Sequence, residues 1–191
     1  MGLDINIGIN NHQVVYSEDY YDEQNDYFNK HNLSRTFCNL MCRRNVVEHT
    51  PELDQISKIT GVDISAIHEM ETYPEEEALE YFLESAESEE EKNKILEQAE
   101  IDKNKLTGNI DKVLLTINNL IDKLTNLHNL PNLLIKTDFD TLDNDDYFSD
   151  FDIDKGQGYI GNNFGQDLRN LKRFLEFAQS KGTTTVWFYY D

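Results

Sequence analysis

Cysteine, proline and positive charge are the scarce materials of this chain. Cys38 and Cys42 are the only cysteines, four residues apart, so no disulfide closes a long loop. At 191 residues the chain can bury a core without such staples, and a reducing, cytoplasmic compartment is expected. No window of about eighteen apolar residues occurs, and the N-terminal region has neither a basic start nor an apolar stretch of signal-peptide length. Membrane spanning and secretion are therefore not expected. Gly2 does not begin a myristoylation signal either, because Asn6 stands where Ser or Thr is required. Lysine and arginine number 17 against 37 aspartates and glutamates, a net charge of −20 with a pI of about 4.4. Nucleic acid and anionic lipid repel such a surface, so direct binding to either is disfavoured.

What is abundant is acid, and it is segregated. Residues 71–100 hold twelve glutamates against Lys92 and Lys94, a block of −10. Residues 138–154 hold eight aspartates and no basic residue, a block of −8, which leaves −2 for the rest of the chain. Charge concentrated in this way builds a local field able to steer a basic partner.

Periodicity indicates an α+β fold, expected as a single domain over 1–191. Leu3, Ile5, Ile7 and Ile9 alternate with polar residues as a half-buried strand, and His12 to Tyr16 reads as its hairpin partner. Residues 17–30 read as loop with room for a helical turn. A helix follows from Leu33 to near Arg44, and another from Pro51, with Thr50 as its N-cap, to Gly61. Pro74 opens a helix with Glu75, Glu76 and Glu77 in its first turn and Leu79, Phe82 and Leu83 turned inward. Ser88 and Glu91 form a capping box. From Leu96 to Leu127 a heptad-like stripe runs straight through Gly108. This fits either one helix of about forty residues or two helices hinged at Thr107 to Asn109, and the unbroken phase favours one. Residues 74–130 would then project as an arm, or residues 96–127 would form the seam of a homodimer. Pro131 ends the run, and Leu133 to Ile135 reads as a short strand. Phe139, Tyr147, Phe148, Phe151 and Ile153 interleave the second acidic block, so it should lie against the core. Phe164 to Ser180 is an amphipathic helix stopped by Gly182, and Thr183 to Tyr190 is a strand expected beside the opening hairpin.

Chemical motifs fail one by one. Gly156, Gly158 and Gly161 match a dinucleotide-binding pattern but lack the βαβ context, and carboxylates precede them. Asp150, Asp152 and Asp154 resemble a calcium loop whose glycine is one place late and whose bidentate glutamate is Gly161. His31, Cys38, Cys42 and His49 have zinc-ligand chemistry, but one helix carries both thiols. His68 and Glu69 begin a metalloprotease pattern in which Thr72 replaces the second histidine. No nucleophile elbow, P-loop or kinase set is present. No cofactor, metal or catalytic residue is assigned.

The opening Met1, Gly2, Leu3 and Asp4, followed by Tyr27, Lys30, Asn32, Leu33 and Phe37, resembles a family of small uncharacterised proteins of phage and prophage genomes. Family members carry His and Trp where this chain has Ser34 and Thr36. The resemblance implies genes that act on host machinery such as restriction and CRISPR systems, whose nucleic-acid clefts are basic. The leading expectation is an acidic inhibitor that occupies a basic surface on a nucleic-acid-handling protein. Its contact residues would be Glu75, Glu76, Glu80, Glu84, Glu87, Glu89 and Glu90 with Asp145, Asp146, Asp150 and Asp152. The rivals are an enzyme or small-molecule binder with a pocket lined by His31, Arg35, Tyr27 and Tyr20, and an oligomeric scaffold built on the heptad stripe.

Overall fold

A computed structural model describes residues 4–135, 142, 144–155 and 162–191. The start of the opening strand at Leu3, the residues Asp138, Phe139, Asp140 and Asp143, and the glycine-rich motif lie outside the described residues. The fold is α+β: helices surround one antiparallel pair, β1 (Ile5–Ile9) and β2 (Val186–Tyr190). In register Ile5 faces Tyr190, Ile7 faces Phe188 and Ile9 faces Val186. The two-residue period puts Ile5, Ile7, Ile9, Val186 and Phe188 on the buried face.

The expected second hairpin strand is instead α1 (His12–Val15), one helical turn. The turn residues explain the difference. Asn10 and Asn11 are used against the far end of the chain, Asn10 Oδ1 accepting from Thr184 N and Thr185 N, and Asn11 Oδ1 accepting from the Thr183 hydroxyl. β1 therefore pairs with β2, and Val15 turns into the core. Residues 17–30, expected as loop, carry a 3-10 turn at Glu18–Tyr20 and the first part of α2 (Tyr27–His31). Next come α3 (Arg35–Cys42), capped by Ser34, α4 (Glu52–Thr60), ended by Gly61 in the left-handed region, and α5 (Ser65–Glu69).

The largest departure from expectation is at Gly108. Two helices, α7 (Glu89–Leu106) and α8 (Ile110–Thr125), replace the single long one. Gly108 adopts φ of +76°, which an L side chain resists. The break is held by the edge of β2. Asn109 donates from Nδ2 to the Val186 carbonyl at 2.8 Å and accepts from Val186 N at 2.9 Å, imitating a neighbouring strand. Gly108 N donates to Thr185 Oγ1, and Ile110 N to the Thr184 carbonyl. These bonds satisfy strand-edge groups that an unbroken helix would leave unpaired. Beyond the break α8 packs on α10 (Phe164–Ser180) and on α4 and α5, which take up its apolar stripe. Val113, Ile117, Leu120 and Leu124 are all buried within the chain, so the α8 half of the stripe packs against the body, while Leu96 in the α7 half is exposed.

Residues 74–130 are not one arm. α8 is part of the main core cluster, whereas between Met70 and Ile110 only Ala99 and Leu106 are buried apolar residues, and they lie outside that cluster. α6 (Glu76–Ser85) and α7 pack against each other as a helical hairpin outside that core. α6 has no buried residue, and Phe82, expected inward, is 56% exposed. Leu133 closes a 3-10 turn (Leu130–Leu133) rather than opening a strand, in keeping with Pro131 near its start. The second acidic block forms the short α9 (Asn144–Tyr147) and an irregular stretch after it. Tyr147, Phe148 and Phe151 are buried as expected of them, while Ile153 faces solvent.

A stacked column roots the hairpin on the outer face of the sheet. Lys103 lies over the Tyr73 ring at 5.8 Å, and Tyr73 stacks on Trp187 with ring centroids 3.9 Å apart. The indole in turn covers Gly8, its register partner, and donates from Nε1 to Glu75 at 2.6 Å. A Cβ on Gly8 would overlap the indole. Gly8→Val is therefore expected to push Trp187 out of the stack and lower stability by about 1–3 kcal/mol, the usual cost of overpacking. Trp187 is the only tryptophan, so its emission reports on the joint directly, and a red shift with a lowered Tm is the expected reading.

Candidate functional site: two acidic surfaces at the ends of one helix

The two acidic blocks meet the body at opposite ends of α8. The α6–α7 hairpin joins at its N-terminal end through Thr107 to Asn109, and Leu124 and Thr125 at its C-terminal end share a cavity with the aspartate segment. Sixteen residues at 1.5 Å per residue separate the two attachments by about 24 Å.

On the hairpin, Glu76, Glu80 and Glu84 follow the i, i+4 spacing and form one exposed stripe. No ion pair reaches these three among the described residues. Glu87, Glu89 and Glu90 are exposed near the tip, where Glu89 pairs with Lys92 at 3.1 Å and Glu90 with Lys94 at 2.7 Å. Both contacts are solvent-exposed i, i+3 or i, i+4 pairs worth little. Glu75 stands apart from the expected contact set. It is half-buried and accepts the Trp187 bond, so it serves the joint.

Asp145, Asp146, Asp150 and Asp152 are likewise exposed. Asp145, Asp150 and Asp152 line a cavity of about 490 Å³ together with His128, Asn132 and Phe148. This block is partly balanced from α10. Arg173 pairs with Asp154, and Arg169 donates to the Phe151 carbonyl at 2.6 Å while lying over the Phe151 ring.

Beneath the second block lies a buried carboxylate that composition and spacing did not single out. Asp167 is 1% exposed and accepts from Ser34 N at 2.8 Å, Ser34 Oγ at 2.6 Å and the Tyr147 hydroxyl at 2.8 Å. Ser34 caps α3, Tyr147 ends α9 and Asp167 lies in the first turns of α10, so one side chain ties three segments together. Ser34, Tyr147 and Asp167 are all buried. The only sequence sign was an isolated aspartate at the start of a strongly amphipathic helix, the favoured end for negative charge.

The rival pocket is present in part. His31 and Tyr20 line a recess of about 100 Å³ with Asn6, Tyr16 and Phe174, well short of the roughly 300 Å³ at which ligand pockets begin. Arg35 is instead held by Asp4 at 2.8 Å, and Tyr27 stacks on Phe177 outside the recess. Burial, with Arg173 and Lys30 nearby, pushes His31 down to about 4, so its ring is neutral at physiological pH. The cysteines are no nucleophiles either. Burial pushes the Cys38 thiol up to about 12 and raises Cys42. His49 lies against Glu52 and Arg43, away from His31, and no group of three metal-ligating side chains comes together among the described residues. No helix among those residues is long and apolar enough to cross a membrane.

No protein-family model, curated protein or solved structure matches the chain.

Burial pushes Asp167 up to about 6, although the bonds from Ser34 and Tyr147 pull the other way by favouring the anion. Its folded value lies above the unfolded one of 3.8, so the folded state binds this proton more tightly. Stability from this site is greatest in acid and falls as pH rises from about 4 to about 6, by roughly 3 kcal/mol. Asp167→Asn keeps a hydrogen-bonding group of the same shape without the proton. Urea unfolding across this window is expected to show wild type losing stability relative to Asp167→Asn as pH rises, with a constant difference above about pH 7.

Proposed function

We infer that this protein is an acidic inhibitor that occupies a basic, phosphate-binding surface on a nucleic-acid-handling protein, in the phage setting that the sequence resemblance implies. The observation that carries this reading is the stripe of Glu76, Glu80 and Glu84, exposed and without an ion pair among the described residues, on a hairpin that lies outside the main apolar cluster. Folding gains nothing from placing like charges together there, since repulsion between i, i+4 neighbours opposes the helix. A partner with complementary charge turns the same arrangement into fast, oriented association. The second block supports the same reading from the far end of α8, where its exposed aspartates border a cavity wide enough for a lysine or arginine side chain. A cleft built for phosphates presents such cations in rows, and it meets two acidic surfaces in place of a nucleic-acid strand.

Glu76→Lys, Glu80→Lys and Glu84→Lys together change the stripe from −3 to +3 and leave the body untouched. With a basic nucleic-acid-binding partner captured from the native host, the triple variant is expected to associate at least tenfold more slowly and with a flatter salt dependence. Neutralising Asp145, Asp146 and Asp150 to Asn measures the share of the second block. Unchanged association rate and salt slope in both variants, with folding verified by Trp187 emission, would exclude the acidic surfaces as the contact.

A further inference from the structure

The hairpin carries an apolar feature as well as charge. Between α6 and α7 runs a groove of about 480 Å³ whose floor is Pro74, Ala78, Leu79, Phe82, Ile95 and Ala99. Glu91, Lys94, Gln98 and Asp102 border it, while helical spacing puts Glu76, Glu80 and Glu84 on the opposite side of α6 from Ala78 and Phe82. Two packed helices with an open apolar seam are a bundle lacking a member, since a third helix would cover what two leave exposed. The seam is not covered from within. α6 has no buried residue, and Phe82 is 56% exposed.

We propose that this groove binds a basic amphipathic helix of the partner protein, with the partner's apolar face on Phe82 and Ile95 and its lysines and arginines toward Glu91 and Asp102 at the border. The proposal rests on the inferred acidic function and names the element it recognises. Charge selects the occupant. A second copy of this chain would bring another block of −10 against the first, and an anionic lipid surface would be repelled in the same way. A neutral apolar helix would leave the surrounding field unanswered. A cationic amphipathic helix satisfies floor and rim together. Geometry sets its length: α6 has ten residues, or about 15 Å, which matches roughly three turns with apolar anchors at i, i+3 or i+4, and i+7.

The test uses the full chain and two fluorescein-labelled synthetic peptides of identical composition. One is a helix of about fourteen residues with leucines at i, i+3, i+4 and i+7 and lysines on the remaining face. The other scrambles the leucines and so keeps charge without a stripe. Fluorescence anisotropy is expected to give at least tenfold tighter binding of the striped peptide. Phe82→Ser should remove that advantage while leaving the scrambled peptide unchanged. Ala78→Arg, which keeps a good helix former but fills the groove with positive charge, should do the same and guards against a folding defect at Phe82. Equal binding of both peptides, unaffected by either variant, overturns the groove and leaves the acidic reading intact. No binding of either peptide at low salt overturns both. A concentration-dependent dimer in sedimentation that Phe82→Ser dissolves assigns the groove to a second copy and overturns the proposed occupant.

Discussion

Asp167 joins parts of the chain that the sequence keeps far apart: Ser34 at the head of α3, Tyr147 at the end of α9 and the first turns of α10. Placing a carboxylate where only 1% of it meets solvent is unfavourable on its own, and the site persists because three donors converge on it. The arrangement solves a specific difficulty of this composition. An aspartate-rich segment has little reason to fold onto an acidic body, yet Tyr147 brings both a buried ring and a hydroxyl that reaches Asp167. Phe148, Phe151 and Phe164 then pack around that anchor, and the aspartates between them stay on the outside. The second acidic surface is displayed because its aromatic residues are held.

The first acidic surface is held by another joint of the same kind. Glu75 is withdrawn from the charged stripe to accept from Trp187, and Tyr73 and Lys103 complete the stack over Gly8. At the hairpin's other strand of chain, Asn109 fixes Gly108 against the edge of β2. Both acidic blocks are thus tethered by buried or half-buried polar contacts, the first at the root of its hairpin and the second beneath aromatic residues that enter the core, with their carboxylates mostly turned outward. This division explains how a protein of net charge −20 keeps an ordinary apolar interior.

Where a pattern was long and local, the sequence was readable. The span of α10, the helix stop at Gly182, the capping role of Ser88 and the burial of Val113, Ile117, Leu120 and Leu124 all follow from periodicity and caps within a few turns. The errors share a cause in contacts distant along the chain. His12 to Tyr16 has strand-like residues, but Asn10 and Asn11 bond across 170 residues or more to the C-terminal segment and turn the backbone away. The heptad phase through Gly108 was real, yet the strand edge that interrupts the helix is 77 residues further on. The exposure of the acidic residues could be read from charge spacing, because exposure is the default for glutamate runs. Glu75 could not be separated from its neighbours, since only the position of Trp187 distinguishes it. The apolar groove was hidden for the opposite reason: Leu79 and Phe82 have the spacing of a core-facing stripe, and nothing local says that the third helix is absent.

That absence gives the charge its direction. An acidic surface alone attracts any cation, and its attraction is screened within about 8 Å at physiological ionic strength. An apolar groove alone invites self-association. Placed on the same hairpin, each limits the other: the charge keeps copies of this chain apart, and the groove distinguishes an amphipathic basic helix from a merely basic loop. On the proposed reading the hairpin's place outside the main apolar cluster has a physical sense, because a groove open to a partner's helix cannot also be filled by the body that carries it.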